Sequence, residues 1–164
     1  DNGSNNDSGR ETIDVDDLHD RDIAALAGIE YSFYWKSVTA NVQVLKDISS
    51  VHNGSEIRFS TTLPFRLNDK TSLSFAGGFD WKDKKLLNYY YGINEDEVEN
   101  DNNAYHPSSG FSPFVKANWR YTLSEHWRLK ASVHVRRLSR EITDSPIVED
   151  SSVTSVFFGG VYHF

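Results

Sequence analysis

From residue 23 to the last residue, apolar and polar side chains alternate with a period of two in seven separate stretches. Successive side chains of a strand point to opposite faces, so each stretch is a strand with one oily side and one polar side. Over 23–35 the oily set is Ile23, Ala25, Ala27, Ile29, Tyr31, Phe33 and Trp35, with Glu30, Ser32 and Tyr34 opposite. Val38, Ala40, Val42 and Val44 continue it after a tight turn at Lys36-Ser37, and a second pair of strands follows over 55–65 and 73–81. A third pair sets Phe111, Val115, Ala117, Trp119 and Tyr121, then Trp127, Leu129, Ala131, Val133 and Val135, against polar neighbours. The chain closes on "SVFFGGVYHF", where Val156, Phe158, Tyr162 and Phe164 share one parity and Gly160 is the small exception.

These stretches match the ~9–11 residues that a tilted transmembrane strand needs. Connections alternate short, at 36–37, 66–70 and 123–126, with long, at 46–54, 82–109 and 138–151. That asymmetry predicts an all-β fold, an antiparallel transmembrane β-barrel with tight periplasmic turns and longer external loops. No run of residues approaches the ~18 apolar ones that a spanning helix requires. A soluble β-sandwich alternates in the same way, but its strands are usually shorter and would seldom place so many aromatic residues at strand ends.

The oily parity carries Phe33, Trp35, Phe65, Trp119, Tyr121, Trp127, Tyr162 and Phe164 beside the short turns, the height of an interfacial aromatic girdle. The polar parity carries Lys116, Arg120, Arg128, Lys130 and Arg136 on two adjacent strands, with Glu30, Glu56 and Asp80 elsewhere. Charges near the bilayer midplane cost ~2–4 kcal/mol each on the lipid side, so this parity is expected to face the lumen. A solvated basic wall would favour anions through a narrow pore, whereas a filled lumen would pair these cations with carboxylates. Lys82, Lys84, Lys85, Arg137 and Arg140 lie at the outer strand ends, where they are expected either to hold lipopolysaccharide phosphates or to be ordinary solvated charge.

Bacterial single-chain barrels have an even number of strands with both ends inside, and seven is odd. The expectation is therefore that the sequence is the C-terminal part of a larger barrel of about 10–12 strands. On that reading residues 1–22 are an acidic external loop, and 23–164 are strands of one barrel domain.

"LLNYYYGINEDE" at 86–97, "YTLSEHW" at 121–127, "DSPIV" at 144–148 and the ending "GGVYHF", taken in order, resemble the MltA-interacting protein and OmpV family of outer-membrane proteins. The resemblance implies the bacterial outer membrane and a non-enzymatic envelope scaffold between a murein-degrading enzyme and a murein synthase, or a surface protein. It also implies that the last strand, ending on Phe164, is read by the barrel assembly machinery, with membrane lipid and lipopolysaccharide as further partners. In that family Tyr89, Tyr90, Tyr91 and Gly92 would sit in one external loop and Ser145, Pro146 and Ile147 in the last.

Other functions find little in the residues. Without cysteine there is neither a disulfide framework nor a thiolate metal site, and the formal charge of -7 argues against a nucleic-acid partner. "DVDDLHDRD" at 14–22 and "NEDEVENDNN" at 94–103 lack the glycine and spacing of a known calcium loop, so no metal and no cofactor are expected. Ser132 and His134 share a lumen parity and raise a lumen-sited lipid hydrolase, but residues two apart on a strand lie ~6–7 Å from each other, too far for a hydrogen bond. No catalytic residue is assigned.

Overall fold

The alternation becomes seven strands: β1 Leu26–Trp35, β2 Val38–Asp47, β3 Ser55–Arg66, β4 Thr71–Lys82, β5 Gly110–Thr122, β6 Trp127–Arg137 and β7 Ser152–Tyr162. They come from a computed structural model that describes residues 21–95 and 104–164. The acidic stretch before residue 21, most of "DVDDLHDRD" and the acidic run 96–101 lie outside the described residues.

Each strand pairs antiparallel with its sequence neighbours, in the order β1 to β7. Among the described residues β1 and β7 do not pair with each other, so the sheet does not close on itself. The register preserves parity at every step: Ile29 faces Val44, Val42 faces Phe59, Phe59 faces Phe79, Val115 faces Val135 and Val133 faces Val156. One continuous apolar face results. Local chemistry sets the short turns: the Asn68 side chain accepts from the amides of Lys70 and Thr71, and Ser124 Oγ accepts from Trp127 N.

The oily face is uncovered. Ile29 is 77% exposed, Trp35 72% and Val156 73%. In a sandwich a second sheet would cover these residues, whereas the described residues form one sheet; an apolar face this extensive demands an apolar solvent. No helix among the described residues is long and apolar enough to cross a membrane.

Five aromatic residues of the oily parity meet in pairs along the short-turn rim. Trp119 and Tyr121 stack at 5.8 Å, Trp127 meets Tyr162 at 5.1 Å, and Tyr162 meets Phe164 at 5.1 Å. Gly160, the interruption in the oily parity, lies under the Trp127 ring, which is 3.4 Å from where a Cβ would stand. Tyr34 near this rim and Phe157 at mid-strand, both exposed, are large aromatic residues on the polar parity.

Fully buried apolar side chains lie off the sheet. Leu86, Leu87, Ile93 and Ile142 belong to the outer connections, which the sequence presents as loops but which carry helix α1, Lys84–Tyr91, and a single turn, α2, Arg140–Thr143. Asp83 starts α1 as its N-cap, accepting from Leu86 N at 3.0 Å, while its other oxygen accepts from Ser55 N at 2.8 Å. An Asp83→Ala variant is expected to lose about 1 kcal/mol of local stability, seen as roughly fivefold faster amide hydrogen exchange over 84–91.

A lumen face covered at its outer end

Strand parity places Glu30, Gln43, Arg58, Asp80, Lys116, Asn118, His134 and Arg136 on the face opposite the lipid-facing residues, around a cavity of about 480 Å³. Polar contacts cross the strands there. Arg58 grips Glu56 bidentately at 2.9 and 3.1 Å and donates to Gln43 Oε1 at 3.4 Å, and Gln43 reaches Glu30 at 3.5 Å. Ser32 donates to Asn41 at 2.7 Å and Asn118 to Ser74 at 3.1 Å. These contacts hold β1–β3 and β4–β5 side by side on the polar face as the aromatic pairs do on the other.

The basic wall divides into two groups. Arg136 pairs with Asp80 at 2.8 Å, an Asp whose side chain is almost wholly buried. Lys116, Arg120, Arg128 and Lys130 make no ion pair among the described residues. His134 packs edge-on against Phe114 at 5.1 Å, and its Nε2 has no hydrogen-bond partner, so no relay joins it to Ser132. Phe114 in turn occupies the space above Gly78, where a Cβ would collide with the Phe59 carbonyl oxygen.

Burial differs sharply between the two ends of this face. At the long-loop end Glu56 is 5% exposed, Asp80 3% and Ser112 3%. At the short-turn end Arg120, Arg128 and Lys130 are exposed. The cover is built by the outer connections. Leu86, Leu87 and Ile142 pack together with Tyr90, Tyr91, Leu138 and Val148 around them. Ser145 Oγ donates to the Tyr91 carbonyl at 2.7 Å, Tyr105 Oη to the Glu141 carbonyl at 3.0 Å, and Ile93 pairs with Tyr105 as an isolated bridge. Burial pushes the Tyr91 phenol up, the Arg136 guanidinium opposes that and Glu56 adds to it, so Tyr91 sits within electrostatic reach of the lumen charges. The Tyr105 phenol is raised by burial and by Asp144 and Glu141.

The loop 48–53 is organised by one carboxylate. Asp47 accepts from Ser49 N, Ser49 Oγ, His52 N and Asn53 N at 2.6–2.8 Å, which steadies the left-handed Ser50 and Asn53. His52 Nδ1 accepts from Gly54 N at 2.8 Å, and its ring meets Tyr89 and Tyr90 of α1. Tyr89 Oη accepts from Asp22 N at 2.9 Å, and Arg21 donates to the Gly92 carbonyl at 3.3 Å, so the segment before β1 joins the same cover. The sequence signal for this cluster was the Asp47-x-Ser49 spacing and Asp83 ahead of "KKLL"; the partners, 20 to 70 residues away, leave no local trace.

The candidate lipopolysaccharide residues fall in different places. Lys82 is on the lumen parity opposite Glu56, Lys84 and Lys85 are exposed in the first turn of α1, Arg137 is on the oily parity at the end of β6, and Arg140 opens α2.

The family model described as MltA-interacting protein MipA matches residues 2–164. The chain is 27% identical over 153 residues to the 24 kDa outer membrane protein of Pasteurella multocida, covering 91% of this chain and 60% of that protein. It is 25% identical over 149 residues to the MltA-interacting protein of Escherichia coli K12, covering 90% and 59%, and 28% identical over 87 residues to the outer membrane protein OmpV of Vibrio cholerae, covering 53% and 34%. The chain thus spans about three-fifths of the length of the first two relatives. No solved structure matches it. A single antiparallel sheet with an uncovered oily face, in a chain whose relatives are named outer membrane proteins, makes this an outer-membrane protein of the β-barrel type. It belongs to the MltA-interacting protein family.

Proposed function

We propose that the protein is a non-enzymatic envelope scaffold whose periplasmic turns receive a murein hydrolase, with a murein synthase as second client. The observation that supports this reading over a porin is the covered outer end: Glu56, Asp80 and Ser112 lie beneath packed helices rather than lining an open mouth. A wall with one end covered suits an anchor better than a channel. A relative of similar pattern carries the name MltA-interacting protein, and the turn 66–70, with Arg66 and Asp69 paired at 2.8 Å, offers an exposed charged surface on the matching side.

The alternative, a narrow porin for small solutes, draws support from the polar lumen face and its cations. Membrane lipid, lipopolysaccharide at Lys84, Lys85 and Arg140, and the assembly machinery acting on the last strand are the further partners of the proposal. In a planar bilayer the full-length protein is expected to give no steady open steps. Purified MltA is expected to bind the detergent-solubilised protein and to lose that binding when 66–70 is replaced by a neutral turn. Persistent steps together with absent MltA binding would favour the porin and overturn the scaffold.

A further inference from the structure

The short-turn half of the lumen is built differently from the outer half. Arg120 stands directly opposite Lys130, and Arg128 faces Thr122 one step further in. Like charges directly opposed on one sheet face repel. Arg66, on the next strands along, is neutralised by Asp69, but Arg120, Arg128 and Lys130 have no ion pair among the described residues. Arg120 and Lys130 line a groove of about 560 Å³ over this face, together with Ser72, Ser74, Asn118 and Ser132. Two cations with hydroxyl and amide groups beside them, Trp119 and Phe157 among the apolar remainder of the lining and no carboxylate in it, can receive an oxyanion.

The groove lies away from the cover. The outer end of the same face is covered, while the groove residues nearest the short turns are exposed. We propose that the short-turn half of this polar face is an open groove that binds a multivalent oxyanion at Arg120 and Lys130. Arg120 presents a planar fork to two oxygens, Lys130 supplies a point charge, and Ser74 and Asn118, which already bond each other at 3.1 Å, donate to the remaining oxygens. The ligand relieves the repulsion that the register imposes. Its phosphate or carboxylate nature is left to the two probes below.

The experiment uses the full-length protein in detergent micelles and isothermal titration at low ionic strength, with inorganic pyrophosphate in one arm and citrate in the other. At least one probe is expected to bind, and the affinity should fall about tenfold or more in Arg120→Gln/Lys130→Gln. Ser74→Ala/Asn118→Ala, which keeps every charge, should weaken it severalfold, and Lys84→Gln/Lys85→Gln at the outer end should leave it unchanged. Tighter pyrophosphate binding identifies a phosphate ligand; tighter citrate binding identifies a carboxylate. No binding of either probe, or the same affinity in the cation variant, would show these cations engaged by the protein's own carboxylates. Unchanged affinity in the Ser74/Asn118 variant would reduce the groove to diffuse charge; both outcomes contradict the site. MltA binding is read separately, so the scaffold and the groove fail independently.

Discussion

A Val133→Arg variant is expected to lose about 2–4 kcal/mol of folding free energy in a bilayer, while Val133→Ala at the same position loses only the transfer free energy of two carbons, roughly 1–1.5 kcal/mol. Val133 stands near the middle of β6, opposite Ala117 on one side and Val156 on the other, on the face with no second protein layer. If lipid covers that face, acyl chains fill the space that two lost methyl groups leave, so the alanine carries no cavity cost, whereas the guanidinium must enter hydrocarbon. A protein layer changes the alanine result. There alanine would leave a cavity, and the cost of Val→Ala would rise to about 2–4 kcal/mol as the cavity term adds to the transfer term. Urea unfolding of the full-length protein from lipid vesicles measures both variants against the parent.

Leu87→Ala is expected to act on the cover and leave the sheet standing. Leu87 is fully buried against Leu86 and Ile142, and truncating such a leucine costs about 2–5 kcal/mol. The cluster is small and tied to the sheet by single hydrogen bonds such as Asp83 to Ser55 and Ser139 N to Ser112 Oγ, so the loss appears as local opening. Limited proteolysis should cut the variant between residues 83 and 109 far faster than the parent, at unchanged thermal unfolding of the strands. Conductance adds a second readout, because uncovering Glu56 and Asp80 would open the outer end. A variant as resistant as the parent, and as silent in the bilayer, would mean that this cluster is not what covers the lumen.

The strands were legible because one rule, period two, sets both their existence and their facing, and the register later keeps that parity through all seven. Lys36-Ser37, 66–70 and 123–126 were legible as turns, and in the last two Asn68 and Ser124 close the turn with bonds two or three residues long. The cover was not. Eight residues of α1 are too few for helical periodicity to stand out, and its core joins Leu87 to Ile142 across two strands of sheet. The pairing of Asp80 with Arg136 was hidden likewise, since their strands are separated by β5 and nothing in either sequence names the other. Arg120 and Lys130 could be placed on one face from sequence, but that they stand opposite each other depends on the β5–β6 register.

Because the chain has no cysteine, single cysteines report cleanly on each strand position. Spin labels placed in turn at 129–135 of β6, in the full-length protein in lipid vesicles, measure collision with oxygen, which concentrates in the bilayer, and with a polar nickel complex, which does not. Oxygen contact should peak at Leu129, Ala131, Val133 and Val135, and nickel contact at Lys130, Ser132 and His134. Equal access to the nickel complex at both sets, or oxygen maxima on the polar set, would contradict a sheet whose oily face is covered by lipid.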